Sequence, residues 1–473
     1  MLVKIENESK FFLQSFVLAV LCFFLNDFVF FEKDVSSLFS IFIIAYSIYA
    51  ITVRNYNNIY KLLLFMFFLL ATRPRSLHLI SLEDRGNFLY YSPNILKLFG
   101  PSVSTSLCFI FLICVSIRYL IANRWQLDIK VVVICMFLFT TLINTLIYSI
   151  FFSQELNLSY FLTDIKYLLF LILGVFVCFC SKLSIEKIVK DFIFISLTLG
   201  FMFSFFLLRD VIENNLLLMY NHSTYISCIG VGLFICCAQV SHSWKFPFLI
   251  VILLGSVPIT RGEQLIFIFM FITSFFYVSF IHRRPSSLFY FFIMFSFLAL
   301  SLVLILSTDN ALSQLILRKF DFFVSGNLQH DKSSSIRVLE IISILNDHNL
   351  YKVIFGSGFG GTFELPYSTL KTLDLADFPI SQLQSNSFLH PHFFLGDWLL
   401  KFGVIGTLVF SAIHIDSAVR YRGAFIIFIL FLPTLLWQAY WSPGYALLCG
   451  LMFGLSYKNS QNKWFLIHKL ERN

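Results

Sequence analysis

Two histidines flank Pro391, and the run that follows, FFLGDWLLKFGVIG, buries Asp397 and Lys401 in apolar surroundings. A histidine takes or gives a proton near neutral pH, which few other side chains do unperturbed. An aspartate and a lysine four apart share one helix face and can neutralise each other inside a membrane. Pairing is therefore the expected role of Asp397 and Lys401. Pro391 suits a helix start, so His392 opens the next helix, either as an ordinary hydrogen-bonded histidine or as a proton acceptor. His390 and His392 also have a spacing that metals use, with His330, Asp331 or His348 as partners. No HExxH motif or carboxylate cluster completes such a site, and no metal is expected.

Two arginines have unusual placements. Arg261, in PITRGEQ, stands at the start of a helix between two apolar runs, where it opposes the macrodipole. It either snorkels to lipid headgroups or holds an anion. Arg337 leads SIRVLEIISIL, where Ser334 or Ser335 caps a helix striped by Val338, Ile341, Ile342 and Leu345. It either pairs with Glu340, a surface bridge of little energetic value, or again holds an anion. Guanidinium groups grip phosphate oxygens with two prongs and a permanent charge. Between these features and the histidines lies GSGFGG, Gly356 to Gly361, which formally matches a nucleotide-binding GxGxxG. The residues after it, TFELP, do not open a helix, so that reading fails. The glycines are expected to make a tight turn that brings backbone close to a helix end or a ligand.

The elements that must position these residues are membrane helices. The 473 residues are 58% hydrophobic and 13% charged, against about 25% charged in soluble domains. Mean hydropathy is +0.83. Apolar runs of about 18 residues or more recur throughout, as a polytopic all-α membrane protein requires. About fourteen spans are expected, near 11–31, 36–53, 58–72, 102–121, 131–152, 160–180, 189–208, 223–241, 246–260, 264–281, 286–307, 392–413, 423–440 and 443–457. The short loops rich in Lys and Arg put both termini in the cytoplasm. One exception is the Arg73–Pro101 connection, which carries Arg73, Arg75, Arg85 and Lys97 on the outer side. Residues 1–306 then hold eleven spans, 307–391 form one long outer loop with a short amphipathic helix, and 392–473 hold three spans and a tail. The net charge of +8 reflects this loop bias, since no basic stripe for nucleic acid is present. All ten cysteines lie in apolar runs and are expected to pack as small hydrophobes.

In chain order, TRG at Thr260 to Gly262, Arg337 with its helix, GSGFG at Gly356 to Gly360, and HFFLGDWLLKFGVIG from His392 to Gly406 resemble the O-antigen polymerase and O-antigen ligase superfamily. Counting back from Gly403 and Gly406 selects His392, not His390, as the family histidine. The chain departs from the pattern at Phe393, where the family often has asparagine, and at Lys401, near an expected acidic residue. The likeness covers Pro258 to Gly406. It implies a membrane glycosyltransferase (GT-C-like) bundle in the bacterial inner membrane, with the loop periplasmic. It implies a polymerase that moves a growing glycan from undecaprenyl pyrophosphate to a new lipid-linked repeat unit. A ligase differs only in its acceptor, lipid A-core. By the same resemblance Arg261 and Arg337 bind pyrophosphate and act in catalysis with His392, and Gly356, Gly358, Arg318 and His390 support them. The implied partners are the lipid-linked oligosaccharide, membrane lipid and a chain-length regulator, with no cofactor. A flippase or transporter is the reading from another class. Transporters place ionisable residues near the bilayer midplane, where this chain has mainly Asp27, Asp397 and Lys401.

Overall fold

The computed structural model describes residues 3–31, 129–151, 158–180, 183–212, 223–255, 332–346, 349–366, 380–391, 394–420 and 446–455, with scattered positions between 45 and 121 and between 270 and 296. The described chain is predominantly helical. In order it comprises β1 (Val3–Lys4), α1 (Glu8–Phe31), α2 (Ile129–Phe151), α3 (Leu158–Cys180), α4 (Ile185–Ile212), α5 (Ser223–Cys237), β2 (Ala238–Gln239) and α6 (His242–Gly255). There follow α7 (Lys332–Leu345), α8 (Leu350–Phe355), α9 (Ile380–Ser385), α10 (Phe394–Arg420) and α11 (Ala446–Leu455).

Among the described residues, two stretches, Ile185–Phe205 and Leu395–Asp416, are long and apolar enough to cross a membrane. Shorter apolar helices are Cys135–Phe151, Leu168–Cys178, His242–Gly255 and Ala446–Leu455. The expected spans near 36–53, 58–72, 102–121, 264–281, 286–307 and 423–440 lie wholly or largely outside the described residues.

The chain divides into two compact units, Met1–Phe23, Pro74–Ser81 and Val189–Val338 in the first and Phe24–Arg73, Leu82–Ile188 and Leu339–Asn473 in the second, so the divisions fall inside α1, α4 and α7. In the first unit, β1 pairs in parallel with β2, Val3 opposite Ala238. The Glu8 carboxylate accepts from the Ser241 backbone N–H at 2.6 Å. Phenylalanine supplies the core here: Phe248 is fully buried, with the rings of Phe11, Phe12, Phe234 and Trp244 around it. Rings at such spacings add roughly 0.5–1.5 kcal/mol per pair beyond their buried area.

The second unit contains the glycine turn and the histidine–proline–histidine connection. Its core helix is α3, buried all round from Leu168 to Cys178. Helix α11 lies close against it: a Cβ at Gly450 would strike the Leu171 carbonyl and one at Gly454 would meet Cys178. Small residues four apart permit such an approach between membrane helices. Helix α2, in contrast, leaves Met136, Phe139, Ile143, Leu146 and Ile150 exposed, an apolar stripe at strict helical spacing.

The loop helix forms as α7, starting at Lys332, so Ser334 and Ser335 fall inside its first turn rather than at its cap. Val338, Ile342 and Leu345 of the expected stripe are exposed, while Ile336, Glu340 and Ile344 are buried.

Candidate functional site

Asn349 caps α8 by accepting from the Tyr351 N–H at 3.1 Å, and the helix ends at Gly356, whose φ of 80° suits glycine alone. The chain then runs through GSGFGG against α10. That helix is two stretches joined at Gly403, with φ 65° and ψ −173°. A break there takes carbonyls of the preceding turn out of the helical ladder, and buried carbonyls need new donors. The glycine turn supplies them. Ser357 N–H donates to the Leu400 carbonyl at 2.8 Å and Gly358 N–H to the Lys401 carbonyl at 3.0 Å. The approach is reciprocal, because a Cβ on Gly356 would strike Lys401 and Gly403 backbone, and one on Gly403 would strike Ile354 and Gly356.

The other amides of the turn are also engaged. Gly356 N–H donates to the Lys352 carbonyl, and Gly361 N–H to that of Gly358. Phe359 N–H donates to Thr145 Oγ1 of α2 at 2.9 Å, and Gly360 N–H to the Asp164 carboxylate of α3. Asn144 of α2 donates to the carbonyls of Phe355 and Gly356, both at 2.9 Å. With every N–H from 356 to 361 donating inside the protein, none is left to cradle a phosphate. The turn is a clamp that ties α2, α3, α8 and α10 together.

Beneath it lies a cluster of charge. Lys401 Nζ stands 2.8 Å from Asp164 Oδ2 and donates to the Gly361 carbonyl at 2.6 Å. Asp397 Oδ1 lies 3.3 Å from His390 Nδ1, and Asp164 Oδ1 lies 3.6 Å from His390 Nε2. Asp164, Asp397 and Lys401 are 2% exposed or less. The expected partnership of Asp397 with Lys401 is thus corrected: each reaches a group outside its own helix. Lys401 turns to the turn and α3 because those supply both a carboxylate and a carbonyl.

His390 is held by its approach. Phe388 and Phe363 form an antiparallel bridge with backbone hydrogen bonds of 2.9 and 3.0 Å. The Asn386 side chain accepts from Leu365 N–H and donates to the Leu365 carbonyl. Burial, the largest influence, pushes the His390 imidazole down to about 3, while the Asp164 carboxylate pulls it up and the Lys401 ammonium down. The side chain still keeps 21% of its surface open, which tempers that burial.

Of the residues the sequence singles out, Gly356, Gly358 and His390 come together here, and Arg337 lies half-buried on α7. His392, Arg261, Arg318, His330, Asp331 and His348 lie outside the described residues. Sequence reasoning missed Asp164, Asn144, Thr145 and Lys352, the last also buried with its ammonium donating to the Thr362 carbonyl at 3.0 Å. Asp164 had a signal, an ionisable residue inside an apolar run.

No protein-family model and no curated protein matches the chain.

Chemically, the cluster offers two carboxylates, one ammonium and one imidazole within a few ångströms of one another. Such a set holds or passes protons. Its lysine is already paired with Asp164.

Proposed function

We propose that the protein is a membrane glycosyltransferase that polymerises a surface polysaccharide of the O-antigen type. It would act in the bacterial inner membrane through about fourteen helices of a GT-C-like bundle. The growing glycan passes from undecaprenyl pyrophosphate to a new lipid-linked repeat on the periplasmic side. The observation that carries this reading is the ordered set TRG, Arg337, GSGFG and His392 to Gly406 along one chain of membrane helices. The exposed apolar stripe of α2, which suits acyl chains better than water, supports the membrane setting.

Breaking a glycosyl–pyrophosphate bond places negative charge on the departing pyrophosphate. Arg261 and Arg337 are assigned to that charge, which a guanidinium at a low-dielectric membrane edge stabilises far better than in bulk water. His392 is assigned to the incoming sugar hydroxyl, which it orients or deprotonates. The pyrophosphate is already an activated leaving group, so no nucleotide sugar is needed. The clamp of glycines holds α10, which begins at Phe394, two residues after His392 in the sequence.

The test is a deletion strain complemented with variants. Arg261→Ala or Arg337→Ala should insert normally and leave single-repeat glycan where wild type gives a ladder. Wild-type ladders from either variant discard the assignment. Polymer made but left on its carrier lipid in the deletion strain points to a ligase instead.

A further inference from the structure

Helix α8 and the glycine turn belong by sequence to a long loop, yet their contacts lie well inside α10. Ile354 and Gly356 pack on Gly403 so closely that a Cβ on either glycine would strike the other segment's backbone. At about 1.5 Å per residue, Gly403 lies ~12 Å from Leu395 and ~20 Å from Asp416, the ends of a stretch long and apolar enough to cross a membrane. A hydrocarbon core is about 30 Å thick, so a contact at Gly403 falls inside it. The descent can be followed on α2: Lys352 Nζ lies 6.0 Å from the Tyr148 ring, one turn nearer the end of α2 than Asn144, which meets Phe355 and Gly356. The chain then returns. Phe363 bridges Phe388, just ahead of the helix start at Phe394, and the next residue, Glu364, is exposed.

Irregular backbone survives at membrane depth only where protein satisfies its polar groups. Here protein does so. Every N–H from Gly356 to Gly361 donates within the protein. For the carbonyls, Asn144 donates to Phe355 and Gly356, Lys401 to Gly361 and Lys352 to Thr362. Polar residues inside apolar helices are costly and need a reason to be there. Asn144, Thr145, Asp164 and Lys401 share one, because each bonds to the backbone of this segment.

We infer that residues 350–363 form a re-entrant hairpin that dips into the membrane beside α10 and presents Phe355 to lipid acyl chains. Phe355 is 46% exposed. At the same level, Ile143 and Leu146 beside Asn144, and Val404 and Ile405 beside Gly403, are exposed and apolar. The open side of the hairpin thus continues a surface already suited to lipid. Its apolar part is too short to cross by itself, as re-entrant segments are. The hairpin enters from the side on which α10 begins, periplasmic in the proposed orientation. The inference needs α10 to cross a membrane and stands apart from the glycosyl-transfer reading.

The experiment replaces Phe355, Leu408 or Glu364, one at a time, by photoreactive benzoyl-phenylalanine in the full-length protein. Each variant is illuminated in phospholipid vesicles with no glycan present, and its adducts are identified by mass spectrometry. Leu408, 66% exposed on the spanning stretch of α10, reports lipid contact there. Positions 355 and 408 should both yield phospholipid adducts, and position 364 none. Lipid adducts at 408 without any at 355 overturn the hairpin, as does a crosslink from 355 to a second copy of the chain. Equal lipid yields at 364 and 355 overturn its return to water. Loss of adducts at all three positions overturns the spanning of α10 on which the hairpin depends. In the wild type, Phe355 should escape hydroxyl-radical oxidation in intact vesicles and be oxidised once the protein is denatured. Its oxidation in intact vesicles overturns the inference without need of any variant. Because no glycan is used, a failed polymerisation assay leaves each of these results standing.

Discussion

Lys401 and Asp164 are both buried, and they pair at 2.8 Å. Removing one member leaves an uncompensated charge, which costs about 3–5 kcal/mol at such a site. Lys401→Met should therefore sharply lower the thermal midpoint in detergent. Asp164→Asn combined with Lys401→Met should recover much of that loss, because no charge is then stranded. A double variant as unstable as the single would show that the pair does more than neutralise itself. Arg337 tests the proposed chemistry at the same scale. Arg337→Lys keeps the charge and loses the two-pronged grip, and polymer formation should fall on the order of 100-fold with insertion unchanged. The residue scale is also where the sequence was hardest to read. The spacing of Asp397 and Lys401 suggested a pair within one helix, and Asp164 passed unnoticed in FLTDIKYLLF. Local spacing reports which groups can meet on one helix, and nothing in it tells that a partner comes from a helix far along the chain.

At the scale of elements, the decisive contact is the crossing of the glycine turn with the break in α10. Both Gly356 and Gly403 have positive φ, and a Cβ on either would strike backbone of the other's segment. Gly356→Ala and Gly403→Ala should each destabilise by more than about 1 kcal/mol, read as lower thermal midpoints. Because they share one contact, the double variant should lose less than the two losses together. Full additivity would mean that the two glycines are needed for separate reasons. The tight turn was legible from GSGFGG, as was its failure as a nucleotide loop, since TFELP opens no helix. The break in α10 was not. Glycine is common inside membrane helices, so Gly403 in LLKFGVIG carries no mark that distinguishes a break from close packing. Helix α7 was legible as an amphipathic element, though it begins at Lys332 and turns Glu340 inward.

For the whole molecule, composition alone specifies a helical, apolar chain, and the described helices agree with it. From the distribution of Lys and Arg we propose that both termini are cytoplasmic. A fluorescent reporter fused after Asn473 should fluoresce, and an export-dependent phosphatase inserted between 307 and 391 should be active. The opposite pattern would put the glycine turn and both histidines on the cytoplasmic side, where lipid-linked repeats are not polymerised in the proposed scheme. The most direct measurement of the central claim is reconstitution of the purified protein with a defined undecaprenyl-pyrophosphate-linked repeat. Wild type should convert it to a ladder of longer glycans with release of undecaprenyl pyrophosphate, and Arg337→Ala should leave single repeats. Folded wild-type protein that produces no ladder, or an Arg337→Ala protein that produces the same ladder, would contradict the account.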